Sequence, residues 1–279
     1  MNEIVSKLKK KSYQIRKTVL EMCIKAETGH ITSSLSCTDI LVVLYYGNIL
    51  RHDPNNPDWE ERDRFILSKG HASPVLYAIL ADCGYFDSKE LDKFAQKDGK
   101  FGVHLQRDVP GVELTVGSLG QGFGTAAGIA LGAKMNRDLY LVFTLLGDGE
   151  CYEGSVWETA LFAAHNRLNN LVAIIDRNYL CVTDFTESLI ALEPMEEKWK
   201  SFGWEVVRID GHSIEEIRAT LLPLRSRKLS KPFVIIADTV KGEGVESLCY
   251  KPLWHGIAPK GEAAKKAMME LERRFGSYE

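Results

Sequence analysis

Two apolar runs, each ending in polar residues, decide the fold of this chain. Residues 139–149 read LYLVFTLLGDG, and residues 171–178 read LVAIIDRN. Neither run alternates apolar with polar residues, so each is predicted to be a strand that is buried on both faces. Residues 156–168 between them have a helical pattern. A strand, a helix and a second strand in this order predict neighbouring parallel strands joined by a crossover helix.

The same alternation of strands and helices extends outward in both directions. It predicts an α/β fold in which a parallel sheet is flanked by helices on both faces. No internal repeat or Pro/Gly/Ser-rich linker interrupts it, so residues 1–279 are interpreted as one domain with an N-terminal helical region. The further predicted strands cover residues 64–67, 204–209 and 232–240. The further predicted helices cover residues 3–27, 39–50, 73–80, 120–134, 195–203, 213–224 and 262–275.

Composition excludes several classes of function. The 35 Lys and Arg residues nearly balance the 38 Asp and Glu residues, for a formal net charge of -3, so no basic face favours nucleic acid. No apolar run approaches the roughly 18 residues of a membrane span, and no signal-peptide core follows Met1. The six cysteines form no Cys-x-x-Cys pair, which indicates reduced thiols in a cytoplasmic protein.

The ends of the predicted strands carry the residues that point to a ligand. Glycine, histidine or oxygen-bearing side chains follow four strands, and ligands of such folds bind at the carboxyl ends of the strands. Asp148 and Asn178 are 30 positions apart, which places them at the tips of adjacent strands. A carboxylate and an amide oxygen suit Mg²⁺, while the glycines at 147 and 149 allow a diphosphate to approach the backbone. The alternative is an ordinary surface turn that contains an aspartate.

This arrangement resembles transketolases and the wider family of thiamine-diphosphate-dependent enzymes. The resemblance extends from about residue 10 to residue 260, with the matching blocks in family order. It implies a thiamine-diphosphate-binding fold with Mg²⁺ held by Asp148, Asn178 and the backbone carbonyl of Leu180, where Ca²⁺ or Mn²⁺ can substitute. Besides 147–178, the matching blocks are Thr28-Gly29-His30, Arg64–Ser73, Gly117–Gly122 and Trp254-His255-Gly256.

The resemblance also implies roles for individual residues. The imidazoles at the catalytic positions would contact the cofactor and donor sugar; they belong to His30, His71, His104 and His255. The implied cofactor-binding residues are His71, Gly117, Ser118, Leu119, Gly149, Glu150, Glu153, Asn178, Lys241 and His255. Three of these assignments have plain alternatives: an isolated histidine is commonly a satisfied surface or core residue, Glu153 suits a solvated helix start, and Lys241 could be exposed. His212 matches a block whose role looks structural.

Three departures from the family pattern bear on the site. Tyr179 stands where many members have glycine after the metal-binding asparagine. The geometry of the turn that presents the Leu180 carbonyl therefore does not follow from the family pattern. Ser118 stands where many full-length members have proline, and Thr32-Ser33 replaces a smaller pair after His30. Because these positions lie near the donor-binding side, substrate choice is expected to differ from that of the ordinary pentose-phosphate enzyme.

The chain is less than half as long as a full-length transketolase, and the resemblance implies a separate partner. That C-terminal subunit would bind the aminopyrimidine and supply the activating glutamate, in an α2β2 assembly that transfers a two-carbon ketol unit between sugar phosphates. The alternatives are half of a deoxyxylulose phosphate synthase, the α subunit of a 2-oxoacid dehydrogenase, or a non-catalytic binding subunit. A nicotinamide-dependent dehydrogenase is disfavoured because no Gly-x-Gly-x-x-Gly follows a first strand.

Overall fold

Five parallel strands form one sheet in the order β1-β2-β3-β5-β4. The computed structural model describes residues 3–227 and 229–276. All residues of the two long central strands, β2 and β3, are buried, so helices cover both faces of the sheet. The predicted parallel α/β fold is therefore confirmed. The strands are β1 (Arg64–Leu67), β2 (Val142–Gly147), β3 (Leu171–Arg177), β4 (Glu205–Asp210) and β5 (Phe233–Asp238).

Helices pack on the sheet in two layers. Leu145 and Ile174 face a core that includes α1, α3 and α4, while Leu146 and Ile175 face a core that includes α5, α6 and α8. Burial of each such large apolar side chain stabilises the fold by about 1.5–3 kcal/mol. The α-helices in the described residues are α1 (Glu3–Ala26), α2 (Ile31–Ser36), α3 (Thr38–Tyr46), α4 (Ser73–Cys83), α5 (Gln121–Asn136), α6 (Gly154–His165), α7 (Thr186–Leu189), α8 (Met195–Ser201), α9 (Ile214–Leu221) and α10 (Gly261–Phe275).

The region after α1 differs from the prediction. A helix was expected over residues 39–50, but α3 ends at Tyr46, and Asn48 adopts a left-handed backbone with φ +62°. The sequence pattern also missed α2. Serine and threonine favour turns over helix interiors, yet every residue of α2 is buried, so tertiary packing overrides local preference there.

The prediction of one domain over residues 1–279 remains a prediction, and residues 1–2, Lys228 and residues 277–279 lie outside the described part of the chain. Within the described part, no helix combines the length and the apolar character that crossing a membrane requires.

Candidate functional site

A cavity of about 240 Å³ opens at the carboxyl edge of the sheet. Residues that follow four different strands meet there, because parallel strands all end at the same edge. The loop after β1 contributes His71, the loop after β2 contributes Asp148, the loop after β3 contributes Asn178 and the loop after β5 contributes Lys241. The site predicted from the strand ends is thus one contiguous cavity.

The register of β2 and β3 brings Asp148 and Asn178 to adjacent strand tips. Gly147 pairs with Asp176, and the backbone N–H of Asp148 donates to the carbonyl of Asp176 at 3.2 Å. The Asp148 carboxylate is buried and accepts hydrogen bonds from the backbone N–H groups of Gly149 (2.8 Å) and Tyr179 (2.6 Å). The side-chain oxygen of Asn178 accepts from the Leu180 N–H at 3.2 Å.

Tyr179 takes the left-handed backbone that the turn requires, with φ +63°. Such a conformation is uncommon for a residue with a side chain. Two hydrogen bonds of the phenol hydroxyl stabilise this conformation of Tyr179. The hydroxyl donates to Asp238 at 2.6 Å and accepts from Arg208 at 2.7 Å. The left-handed turn thus forms without a glycine, and Leu180 lines the cavity.

The oxygen donors at these tips fit a hard divalent cation. One carboxylate, one amide oxygen and one backbone carbonyl, from Asp148, Asn178 and Leu180, are the ligand types that Mg²⁺ prefers alongside phosphate and water. In residues 3–227 and 229–276, no group of three or more His, Cys, Asp or Glu side chains is placed to hold a metal ion. A metal here would therefore depend on neutral oxygens as well as on Asp148.

Glycine leaves room for a ligand at the loop that precedes α5. A Cβ added at Gly117 would meet no atom within 4 Å, and Leu119 of the same loop also lines the cavity. Two predicted cofactor-binding residues, Ser118 and Glu153, are exposed and do not line the cavity. His212 also lies outside it, where its ring bonds Asp39 (2.9 Å) and the backbone N–H of Val240 (2.8 Å), as expected of a structural residue.

Four histidines, His30, His71, His104 and His255, cluster at the cavity wall. The ring of His30 lies 5.1 Å from that of His71, 5.8 Å from that of His104 and 5.2 Å from that of His255, measured between centroids. Burial lowers the pKa of His30 to about 4 and, with the nearby Lys241 cation, that of His255 to about 3. Burial also holds the pKa of His71 well below its usual value. These three imidazoles are neutral at pH 7, so each can donate one hydrogen bond and accept another.

Glu150 lines the cavity, but its carboxylate is committed to the protein. One oxygen accepts from the hydroxyl of Ser68 and from the N–H of Gly120 (2.8 Å), and the other accepts from the N–H of Gly147 (3.1 Å). This single buried side chain joins the loop after β1, the loop before α5 and the end of β2. Its contacts indicate a positioning residue for those loops.

Lys241 is buried rather than exposed. Its ammonium donates to the carbonyl of Leu180 at 2.9 Å and lies 3.0 Å from Nδ1 of His255. Burial lowers the pKa of Lys241 to about 8, even though the Asp148 carboxylate opposes that shift. The residue is thus a cation inside the cavity, beside the positions predicted to hold a metal and a diphosphate.

Sequence reasoning missed a buried ion pair whose lysine lines the cavity. Lys69 and Asp176 are almost fully buried and bonded to each other. Lys69 also donates to the carbonyl of Ser33 at 2.8 Å, and Asp176 accepts from the amide of Asn178 at 3.3 Å. Burial would lower the pKa of Lys69 and raise that of Asp176, but their mutual attraction prevails and shifts both pKa values the other way. A charged residue at the end of each apolar strand is the sequence feature that could have indicated this ion pair.

An α/β protein with a glycine-walled cavity and oxygen donors at its strand tips belongs to the class that binds phosphorylated cofactors. Residues 8–276 match the family model described as the transketolase, thiamine diphosphate binding domain. The chain therefore belongs to the transketolase family, and the predicted family is confirmed.

Relatives and solved structures support this assignment across the whole chain. A 6-deoxy-6-sulfo-D-fructose transketolase subunit of Clostridium sp. strain MSTE9 is 40% identical over 98% of this chain and 99% of its own length. An apulose-4-phosphate transketolase subunit of Phocaeicola vulgatus is 36% identical over 99% and 97%, respectively. The crystal structure of Campylobacter jejuni transketolase superposes with a TM-score of 0.88 at 34% identity and covers 97% of this chain, which spans 43% of that protein.

Proposed function

We propose that this chain is the diphosphate-binding subunit of a two-subunit, thiamine-diphosphate- and Mg²⁺-dependent transketolase. The observation that carries the proposal is the meeting of Asp148, Asn178 and the Leu180 segment with four histidines in one cavity. The relatives that the chain matches over nearly their whole length carry the name of transketolase subunits.

The metal and the diphosphate would be held by different groups of this chain. Asp148, the side-chain oxygen of Asn178 and the Leu180 carbonyl would bind Mg²⁺, with Ca²⁺ or Mn²⁺ as substitutes. Lys241 would compensate the charge of the diphosphate. The backbone of Gly117 and Gly149 would approach the diphosphate closely, with Ser118 and Leu119 on the same loop, and Glu150 would keep these loops together.

The histidines are suited to a sugar substrate. Thiamine diphosphate, when bound, supplies the carbon nucleophile for breaking and forming a carbon–carbon bond of a ketose. The neutral rings of His30, His71 and His255 would hold the hydroxyl groups of that ketose and relay protons, with His104 beside them. The names of the relatives, which refer to a sulfonated ketose and to apulose 4-phosphate, favour a ketose with an anionic end.

A separate partner chain would complete the site. Apolar side chains on two segments that form the cavity rim are exposed: 54% of the surface of Val182, which lines the cavity, and 67% of that of Leu253 and 49% of that of Ile257, which flank the cavity-lining His255 in sequence. We place the C-terminal, pyrimidine-binding transketolase subunit on this rim, in an α2β2 assembly. Glu153 would lie near that contact. All six cysteines are free thiols, which supports a cytoplasmic location.

Reconstitution with the partner tests this function. We expect the purified chain alone to show no ketol transfer, and a mixture with a partner of similar size that carries the activating glutamate to become active only with Mg²⁺ and thiamine diphosphate. The measurement is the rate of aldose formation from a panel of ketose phosphates and sulfonates. Turnover by the chain alone, or oxidation of a 2-oxoacid by the mixture, would contradict the proposal.

A further inference from the structure

Arg177, the last residue of β3, is a fully buried cation for which the sequence pattern suggested no role. Its side chain has a relative exposure of 0%. Burying a guanidinium costs several kcal/mol unless each of its N–H groups finds a partner. The hydrogen-bond partners of Arg177 therefore indicate which groups its side chain holds in place.

The guanidinium bridges a predicted metal ligand and a surface segment. One terminal nitrogen donates to the Asp148 carboxylate at 3.0 Å and to the Thr186 hydroxyl at 2.6 Å. The other nitrogens donate to Glu187 at 2.7 Å and to Glu193 at 3.2 Å. The side chains of Glu187 and Glu193 are 39% and 34% exposed, so they form the outer end of the bridge.

At the inner end, Arg177 fixes one oxygen of Asp148. That oxygen, Oδ2, accepts from Arg177 and from the backbone N–H of Tyr179, while Oδ1 accepts from the N–H of Gly149. The guanidinium also lies 4.1 Å from the centre of the Tyr179 ring, on the turn that leads to Leu180. A single side chain thus contacts both the carboxylate and the turn proposed to bind the metal.

We propose that Arg177 is a positioning residue that holds the Asp148 carboxylate and the Tyr179 turn in the orientation a divalent cation requires. The inference rests on the proposed function, because it assigns the cation to Asp148. The inference goes beyond that function because it names a residue that is not itself a metal ligand but whose loss weakens metal binding. Residues that orient a metal ligand in this way contribute on the order of 10–100-fold to metal affinity.

The test compares Arg177→Met and Arg177→Lys with a control, Arg62→Met. Arg62 pairs with Glu113 at 2.9 Å, is mostly buried and does not line the cavity. Each variant is assembled with thiamine diphosphate and the partner subunit, and bound Mn²⁺ is followed by electron paramagnetic resonance. The Mn²⁺ concentration at half-saturation is the readout, together with the sugar KM and kcat at saturating metal.

We expect half-saturation to rise roughly 10–100-fold in Arg177→Met and by less in Arg177→Lys, which retains one donor. Arg62→Met should bind Mn²⁺ like the wild type, and kcat of the Arg177 variants should recover at high metal. Wild-type affinity in Arg177→Met, or an equal loss in Arg62→Met, would overturn the inference. If Arg177→Met does not fold, wild-type affinity in Arg177→Lys overturns it. A wild-type complex that binds no Mn²⁺ with the cofactor would refute the proposed function itself.

Discussion

Replacement of Asp148 with alanine is expected to abolish Mg²⁺-dependent binding of thiamine diphosphate. Asp148 is the single carboxylate among the three proposed oxygen ligands, and the substitution leaves only neutral metal ligands from this chain. Loss of one partner from a buried charge pair costs about 2–5 kcal/mol, which is roughly 30- to several-thousand-fold in affinity. Isothermal titration of the assembled enzyme with the cofactor, with and without Mg²⁺, measures the effect.

Two further variants make the result specific. Asp148→Asn removes the charge but keeps one oxygen, which can still accept from the N–H group of Gly149 or of Tyr179, so it separates loss of the metal from full loss of the loop contacts. Asp210→Ala removes an aspartate at the tip of β4, an exposed position outside the cavity lining, and should bind the cofactor normally. Tight, Mg²⁺-dependent binding by Asp148→Ala would refute the metal assignment.

Replacement of Lys69 with methionine is expected to destabilise the fold strongly. The substitution leaves the Asp176 carboxylate buried without its cation, although Ser36 still donates to it at 2.6 Å. Breaking a buried pair in this way lowers the free energy of unfolding by about 3–5 kcal/mol. Urea denaturation followed by circular dichroism gives the value directly.

An exposed ion pair supplies the control for this effect. Lys9 and Glu215 are 3.0 Å apart near the surface, and Lys9→Met should change the free energy of unfolding by less than about 1 kcal/mol. Removal of both buried charges in Lys69→Met/Asp176→Leu should recover part of the loss, since no charge is then left uncompensated. A free energy of unfolding for Lys69→Met within about 1 kcal/mol of the wild type would show that the pair contributes little.

The sheet and the position of the site were predictable because both follow from one simple pattern. Strands β2 and β3 are continuous apolar runs, and burial on both faces leaves a parallel sheet as their natural arrangement. Once these strands are neighbours, Asp148 and Asn178 must reach the same edge. The four histidines came from the resemblance to the family, since nothing in their local sequence predicts that their rings cluster around His30.

The supporting charges were not predictable in the same way. Lys69, Asp176 and Arg177 look like ordinary polar residues that end a strand, and only the three-dimensional structure shows that they are buried and paired. Glu150 illustrates the same limit: it was predicted as a cofactor-binding residue, but its bonds depend on residues as distant in sequence as Ser68. The helix α2 was missed because its stability comes from burial rather than from its serine-rich sequence.

The position of the metal tests the central claim most directly. A crystal of the assembled enzyme with thiamine diphosphate and Mn²⁺ gives an anomalous peak that locates the cation without ambiguity. We expect that peak between the Asp148 carboxylate, the side-chain oxygen of Asn178 and the Leu180 carbonyl, at about 2.0–2.3 Å from each. A cation bound elsewhere, with the tips of β2 and β3 empty, would contradict the proposed site.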